Sequence, residues 1–305
     1  MANYLQFSEI VDAVERSIKQ YQSSMQIMVK SMINQVYLAE ILQADNLYPL
    51  FWLLALSDNR RSVAACDISG ITQADPGVVS AVHSLVAGDI VTLYDPGGMT
   101  ELNYRTALVG TVVAGTSFQL LDLDGVNINT TGYTAYTSGG TVVHRGITLS
   151  PSAEIILSDA IKWHNEDVLD EITPLELEKS KDYDWWSDST ARPFRYLHKK
   201  AFLSDGSELD RLLWFPGAQD TYYLRYWYQK VVARLSADGD VPQLPWKFHD
   251  AIISGAIMRL AENNVQVENA VIWPGIYKAQ LNALKTYNRK WWEKHAEDIG
   301  VPYLL

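Results

Sequence analysis

The residues best suited to chemistry in this sequence lie between Asp182 and Asp188, where carboxylates alternate with aromatic side chains. Asp184 and Asp188 flank the pair Trp185-Trp186. Two carboxyl groups at a suitable separation can cleave a glycosidic bond, and indole rings present large flat faces to a ligand. The same residues also fit a loop that the two tryptophans anchor to the core. We favour this second interpretation, because acidic residues are common in loops.

The spacing of the other reactive residues matches no catalytic or metal-binding motif. The six histidines, at 83, 144, 164, 198, 249 and 295, lack the His-Glu-x-x-His spacing, and Asp122-Leu123-Asp124-Gly125 is only part of a calcium loop. No nucleophile elbow or glycine-rich nucleotide loop occurs, and Cys66 has no histidine nearby in sequence to activate its thiol. We therefore predict a protein that is not an enzyme and needs no cofactor and no metal.

One basic cluster interrupts the later part of the chain. It comprises Arg192, Arg195, His198, Lys199 and Lys200, interleaved with Phe194 and Tyr196. Such a cluster can contact phosphates, or it can protect an edge strand from pairing with another chain. Both interpretations stay open on the sequence alone.

The composition is that of an acidic, folded protein. Its 305 residues include 25 Lys+Arg against 36 Asp+Glu, a formal charge of -11 that opposes broad contact with nucleic acid. One cysteine excludes an intramolecular disulfide, and ten Trp with 17 Tyr are an aromatic excess typical of partner surfaces. The most apolar run, residues 48–56, is shorter than the roughly 20 residues of a membrane helix, so we expect no membrane association.

Periodicity divides the chain into helical and β segments. Apolar residues at helical spacing predict two helices between Phe7 and Ala44, a short one ending before Asp58, and two more at 245–262 and 276–296. Between 60 and 146, Val, Thr and turn-forming Gly predict strands at 77–82, 89–94, 105–113, 117–123 and 141–145. Two hairpins are expected later, at 161–170 and 209–230, with a short helix from Thr173 between them.

These elements predict an α+β protein: a helix-rich body with β-hairpins, interrupted by an inserted small antiparallel β-barrel. We expect N-terminal helices of the body at 1–57, the barrel at 58–146, the rest of the body at 147–290 and a C-terminal docking tail at 291–305. An insertion of this kind costs little when it lies in a loop.

The barrel segment resembles a small β-barrel that recurs in tailed-phage structural proteins and is similar to a half-domain of ubiquitin-activating enzymes. The resemblance is carried by Ile68-Ser69-Gly70-Ile71-Thr72-Gln73-Ala74-Asp75-Pro76, Gly98-Met99-Thr100-Glu101-Leu102-Asn103-Tyr104-Arg105 and Tyr136-Thr137-Ser138-Gly139-Gly140-Thr141-Val142. An adenylating domain and a placed catalytic cysteine are absent from the sequence. The resemblance therefore implies the fold and not ubiquitin activation.

The rest of the chain resembles the adaptor, or head-completion, proteins of tailed bacteriophages. This likeness is carried by the helical start with Met32-Ile33-Asn34-Gln35-Val36-Tyr37, by residues 214–224, and by residues 235–250, which run through an acidic loop into Pro245-Trp246-Lys247-Phe248-His249-Asp250. It implies a structural virion protein at the head-tail interface, assembled in the host cytoplasm. It further implies a homo-oligomeric ring, commonly of twelve copies, that contacts a portal protein and a tail or nozzle protein. Genomic DNA would pass through its channel without sequence-specific binding.

The C-terminal segment is the candidate partner-binding site. The last predicted helix ends in Trp291-Trp292, and Gly300 and Pro302 precede Tyr303, Leu304 and Leu305. These five aromatic and apolar residues either bind the portal or a neighbouring subunit, as the resemblance implies, or pack back on their own subunit.

Two other functions compete with the adaptor interpretation. One is a carbohydrate-binding or adhesive module that presents Trp185 and Trp186 to glycans, and the other is a glycoside hydrolase that uses Asp184 or Asp188.

Overall fold

The computed structural model describes residues 4–45, 48–149, 153–157, 161–163, 167–173, 190–202 and 208–299. The chain forms two compact units, one made of Met1–Ala55 with Gln229–Leu305 and the other of Leu56–Tyr228. We call them the helical unit and the β unit.

The helical unit contains four described α-helices from the two ends of the chain. They are α1 (Phe7–Arg16), α2 (Gln26–Gln35, continued as a π-helix over Val36–Ile41), α3 (His249–Glu262) and α4 (Trp273–Ile299). Short 3-10 turns lie at Ser23–Met25, Phe51–Leu53 and Trp246–Phe248. Helix α1 forms because Phe7, Ile10, Val11 and Val14 recur at helical spacing and are all buried on one face.

Helix α3 is the centre of this unit. Most of its residues are buried, including Ala251, Ile252, Ala256 and Ile257, and side chains of α1, α2 and α4 belong to the same core. Gly255 allows the closest of these approaches, because a Cβ there would stand 2.5 Å from Val36 Cγ1. A helix that is apolar on nearly all sides is buried on nearly all sides.

The described strands of the chain are, in order, β1 (Leu54–Arg61), β2 (Cys66–Ile71), β3 (Val78–Ala81), β4 (Asp89–Tyr94), β5 (Thr106–Val113), β6 (Ser117–Leu121), β7 (Thr141–Thr148), β8 (Ala153–Ile156), β9 (Lys162–Trp163), β10 (Asp167–Val168), β11 (Asp170–Glu171), β12 (Thr190–Ala191), β13 (Arg195–Phe202), β14 (Glu208–Phe215), β15 (Gly217–Ala218) and β16 (Tyr223–Lys230).

Six of these strands close into an antiparallel barrel. The order is β7-β2-β3-β6-β5-β4, and β4 pairs with β7 to complete the circle. The barrel is filled by apolar side chains that include Val79, Leu93, Val109, Phe118 and Leu120. The five strands predicted from periodicity all form, and the sixth is β2, whose glycine and polar residues obscure its alternation.

Strand β7 belongs to the barrel and to the sheet beyond it. Its first residues, Thr141 and Val142, pair with β2, whereas Gly146 and Ile147 pair with Leu213 and Leu212 of β14. A Cβ at Gly146 would stand 2.3 Å from the carbonyl oxygen of Leu212, so the close approach of β14 requires glycine there. The barrel therefore continues through β14 into β13 and β11.

A second sheet lies in the order β1-β16-β9-β10, with β8 also paired to β16. The core outside the barrel contains Trp163 of β9, Trp214 of β14 and Tyr226 of β16. The Trp163 and Trp214 rings meet edge to face, with their centroids 5.4 Å apart. Strands β9 and β10 pair antiparallel, which confirms a hairpin within the predicted range 161–170, although Asp170 lies in β11 and pairs with β13.

The prediction of a helix-rich body is wrong. The chain is mostly β, and between residues 147 and 230 the described elements are strands. Alternating aromatic and polar residues in this region lie in strands that pair with the barrel or form the second sheet, which extends the β structure well beyond residue 146. The short helix predicted from Thr173 lies outside the described residues.

The hairpin predicted at 209–230 is also wrong. Strand β14 pairs with β13 and β7, whereas β16 pairs with β1, β8 and β9, so the two belong to different sheets. Between them β15 pairs with β12 in parallel. Pro216, at the end of β14, has no backbone N–H to continue a ladder, and the chain crosses to the second sheet after it.

Candidate interaction site

Trp292, a residue of the predicted C-terminal site, lies on α4. Its side chain has no solvent exposure (0%) and its indole Nε1–H donates to the carbonyl oxygen of Pro49 at 2.7 Å. A buried indole whose donor is satisfied stabilises the fold through packing and a hydrogen bond together. Trp292 therefore contributes to the interior of the helical unit.

Trp291 lies next to it at the surface of the same cluster. Its ring stacks on Phe51 with centroids 4.6 Å apart and planes 6° apart, and it meets Trp292 edge to face. Both tryptophans thus pack on their own chain, which is one of the two alternatives that the sequence leaves open. Tyr303, Leu304 and Leu305 lie outside the described residues, and partner binding by the segment stays a prediction.

Polar contacts hold the segment before the Phe51–Leu53 turn against α4. Asn288 accepts from the Phe51 N–H at 3.2 Å and donates to the Pro49 carbonyl oxygen at 3.2 Å. Arg289 places Nε and Nη2 each 3.3 Å from the Asp45 carboxylate. The hydrogen bond to Asp45, with a smaller contribution from its charge, raises the pKa of the Arg289 guanidinium. This end of α4 is therefore a fixed part of the unit.

An open groove of about 450 Å³ lies along α4 near this cluster. It is lined by Lys247, Phe248, Asn282, Ala283, Thr286, Tyr287 and Lys290, and we call it the lysine groove. Phe248 is buried, and the Lys247 ammonium lies 3.2 Å from the centroid of the Tyr287 ring, a cation–π contact. The groove therefore combines aromatic surface with two cationic residues, Lys247 and Lys290.

A second surface of the helical unit is apolar and exposed. Val271 is 93% exposed and Ile272 is 51% exposed, in the loop between α3 and α4. We call these two residues the apolar tip. The sequence interpretation missed it, although the run Ala270-Val271-Ile272-Trp273-Pro274 between two helices was its signal.

The loop that bears the apolar tip is held by hydrogen bonds. Glu268 N–H donates to the Ser17 carbonyl oxygen at 2.8 Å, and Trp273 Nε1–H donates to the Glu268 carbonyl oxygen at 2.8 Å. Val267 forms an isolated β-bridge with Ile18. Apolar side chains on a loop held in this way present a defined surface that a protein partner could cover.

Two buried histidines, His144 and His249, use both ring nitrogens in hydrogen bonds to the backbone. In the β unit, His144 Nδ1 accepts from the Val63 N–H at 2.8 Å, and Nε2 lies 2.8 Å from the Gly146 carbonyl oxygen, to which it donates in that tautomer. Burial lowers the pKa of His144 to about 3. In the helical unit, His249 Nδ1 accepts from the Leu5 N–H at 3.1 Å and Nε2 donates to the Leu244 carbonyl oxygen, and burial lowers its pKa.

The single cysteine is half-buried in the barrel. Burial, with a smaller contribution from the charge of Asp67, raises the pKa of the Cys66 thiol to about 11. A thiol in this state is a poor nucleophile at neutral pH. Within the described residues, no group of three or more His, Cys, Asp or Glu side chains is arranged to hold a metal ion.

The basic cluster lies mainly on β13, near the edge of its sheet. Strand β11 covers that edge only at Arg195 and Tyr196, where it pairs in parallel. Further along, the His198 imidazole lies 3.1 Å from the Asp210 carboxylate, and the Lys200 ammonium is 3.9 Å from the same group. This arrangement favours the edge-protection interpretation over phosphate binding.

The residues of the carbohydrate hypotheses, Asp182 to Asp188 with Trp185 and Trp186, lie outside the described residues.

No protein-family model matches the chain, and no curated protein matches its sequence. Of the helices that the structure describes, none combines the length and the apolar character needed to cross a membrane.

Proposed function

We propose that this protein is a structural virion protein, a head-to-tail adaptor that forms a ring beneath the portal of a tailed bacteriophage. In this role it extends the DNA channel, provides the surface for tail or nozzle attachment and has no catalytic activity. The observation that carries the proposal is the apolar tip, because Val271 and Ile272 stand exposed on a loop fixed by hydrogen bonds. A protein that presents apolar residues in this way is suited to assembly.

The segment that most resembles adaptors also has a clear place in the fold. Residues 235–250 belong to the helical unit and lead into α3, and Asp240 caps this loop by accepting from the N–H groups of Ser236 and Ala237 at 2.7 and 2.8 Å. These hydrogen bonds lower the pKa of the Asp240 carboxyl. The Asp240 carbonyl oxygen in this loop also accepts a hydrogen bond from the Phe7 N–H, at the start of α1, at 2.7 Å. The resemblance thus covers a structured junction of the helical unit.

The charge of the chain supports a channel role. A net charge of -11 repels the phosphates of a duplex, so DNA would slide past such a ring without adhering to it. We expect no sequence-specific DNA binding.

The test is assembly with a portal. The purified chain is mixed with purified portal rings from the same genome, and the complex is separated by sedimentation and imaged by electron microscopy. We expect a ring of adaptor density on one face of the portal, with the axial channel open. Failure to co-sediment with the portal at any ratio, while the chain remains folded, would contradict the proposal.

A further inference from the structure

We propose that the apolar tip of one copy inserts into the lysine groove of a second copy of this chain. The inference deepens the ring part of the proposed function and rests on it. It assigns two surfaces of the helical unit to the same contact: the tip is the inserted surface and the groove is the receiving surface.

The two surfaces cannot meet within one copy. The tip directly precedes α4 at Trp273, whereas the groove is lined by residues 282 to 290 of the same helix, with Thr286 midway between them. Thirteen residues of α-helix span about 20 Å at a rise of about 1.5 Å per residue. Because the hydrogen bond from Glu268 to Ser17 fixes the loop at its own end of the helix, the tip that fills the groove must come from another molecule.

The chemistry of the two surfaces is complementary. The groove offers the exposed Ala283 methyl group and the half-buried Tyr287 ring to an apolar insert, with the Lys247 ammonium over that ring. Lys247 and Lys290 line the same groove, and Glu268, three residues before Val271, is exposed and is the charged residue nearest to the tip along the chain. Insertion of the tip would bring the Glu268 carboxylate towards these two ammonium groups.

The contact has the symmetry that a ring requires. The tip and the groove are different patches of one subunit, so the contact is heterologous. A pair of copies therefore keeps one free groove at one end and one free tip at the other. Repetition of such a contact closes into a ring when the rotation between neighbours allows it. A self-complementary patch would instead stop at a dimer.

Cross-linking between two different single-cysteine copies tests the contact. In a Cys66→Ser background, Val271→Cys protein is mixed with Ala283→Cys protein at high concentration and treated with a short bismaleimide. The matched control replaces Val271→Cys by Ile27→Cys, since Ile27 of α2 is 84% exposed and lies outside both surfaces. We expect the mixed dimer from Val271→Cys to exceed the control several-fold.

Charge exchange at the same contact is a second measurement. Glu268→Lys in the tip copy should reduce the cross-link several-fold, and Lys247→Glu with Lys290→Glu in the groove copy should restore it, because coupled changes at a true contact do not add. Melting curves of each variant verify that it is folded. A cross-link no greater than that of the Ile27→Cys control, or a yield indifferent to charge exchange, overturns the inference.

Portal binding of the wild-type chain is measured in parallel, so that the two proposals are separable. Portal binding without the specific cross-link overturns the tip-and-groove contact and leaves the adaptor function standing. A specific cross-link without portal binding supports the contact between copies and contradicts the adaptor function.

Discussion

Asn34 and Leu235 are joined by a closed pair of hydrogen bonds in the interior of the helical unit. The Leu235 N–H donates to the Asn34 side-chain oxygen at 2.8 Å, and the Asn34 amide donates to the Leu235 carbonyl oxygen at 3.0 Å. A single side chain of α2 thus pairs with the backbone at Leu235, 201 residues away along the chain. Both residues are buried, so water cannot replace either bond.

Replacement of Asn34 by Ala should therefore destabilise the protein strongly. The change leaves a buried N–H and a buried C=O without partners, and we expect a loss of about 3 kcal/mol in the free energy of unfolding. Denaturation by urea measures this loss. Asn282→Ala, the same substitution at an exposed position of α4, is the control and should change stability little. Equal losses in both variants would contradict the role of Asn34.

Gly255→Ala tests the close packing around α3. The added Cβ would stand 2.5 Å from Val36 Cγ1 and 2.7 Å from Tyr277 Cε2, so helices must move apart. We expect a loss of about 1–3 kcal/mol despite the better helix propensity of alanine. Gly275→Ala in the first turn of α4 meets no atom within 4 Å and should leave the melting temperature unchanged or slightly higher. A stabilised Gly255→Ala protein would show that the helices are not in contact there.

The two tryptophans near the end of α4 should contribute unequally to stability. Trp292→Ala empties a buried site and removes a donor from the Pro49 carbonyl oxygen, so we expect a loss of about 3–5 kcal/mol. Trp291→Ala removes a half-buried ring that stacks on Phe51 and should cost less. Thermal melts compare the two. If Trp291→Ala is the more damaging change, the assignment of Trp292 to the core is incorrect.

The buried imidazole of His144 should make the β unit sensitive to acid. Its pKa is about 3 in the folded state against an ordinary value of 6.5, so between these pH values the unfolded chain binds one more proton. The stability that neutral His144 contributes is therefore complete above about pH 6.5 and falls by up to about 1.4 kcal/mol per pH unit as the pH is lowered towards 3.

His144→Gln provides the comparison, since glutamine offers a donor and an acceptor but does not titrate in this range. The difference in unfolding free energy between wild type and His144→Gln, measured by urea denaturation from pH 7 to pH 4, should shift in favour of the variant as the pH falls. Other groups titrate in both proteins and cancel in the difference. A difference that is independent of pH would show that His144 is not buried as a neutral ring.

The helical unit should fold without the β unit. The Leu50 N–H donates to Gln229 Oε1 at 2.7 Å, so the segments of the helical unit on either side of the β unit in sequence lie close together. We expect that replacing residues 56–228 by a short Gly-Ser linker leaves a soluble helical protein with cooperative unfolding, as measured by circular dichroism and gel filtration. Removal of residues 61–145 alone should fare worse, because it cuts β7 before Gly146 and takes away the barrel strands that pair with the rest of β7. Aggregation of the first variant and not the second would contradict this division.

Local patterns in the sequence determined the type and place of most described elements. Helical spacing located α1, α2, α3 and α4, and alternation with turn signals located five of the six barrel strands, because these features depend on neighbours a few residues away. The missing motifs and the acidic charge likewise followed from the sequence alone.

Tertiary structure alone decided which strands pair and which aromatic and aliphatic side chains are exposed. Alternation identifies β14 and β16 as strands, yet it carries no information on partners, and the two lie in different sheets. Trp291-Trp292 and Val271-Ile272 look equally apolar in sequence, but Pro49 and Phe51 bury the first pair against α4 while no such segment covers Val271 among the described residues. Burial is set by segments more than two hundred residues apart in the chain, and short-range periodicity cannot report such contacts.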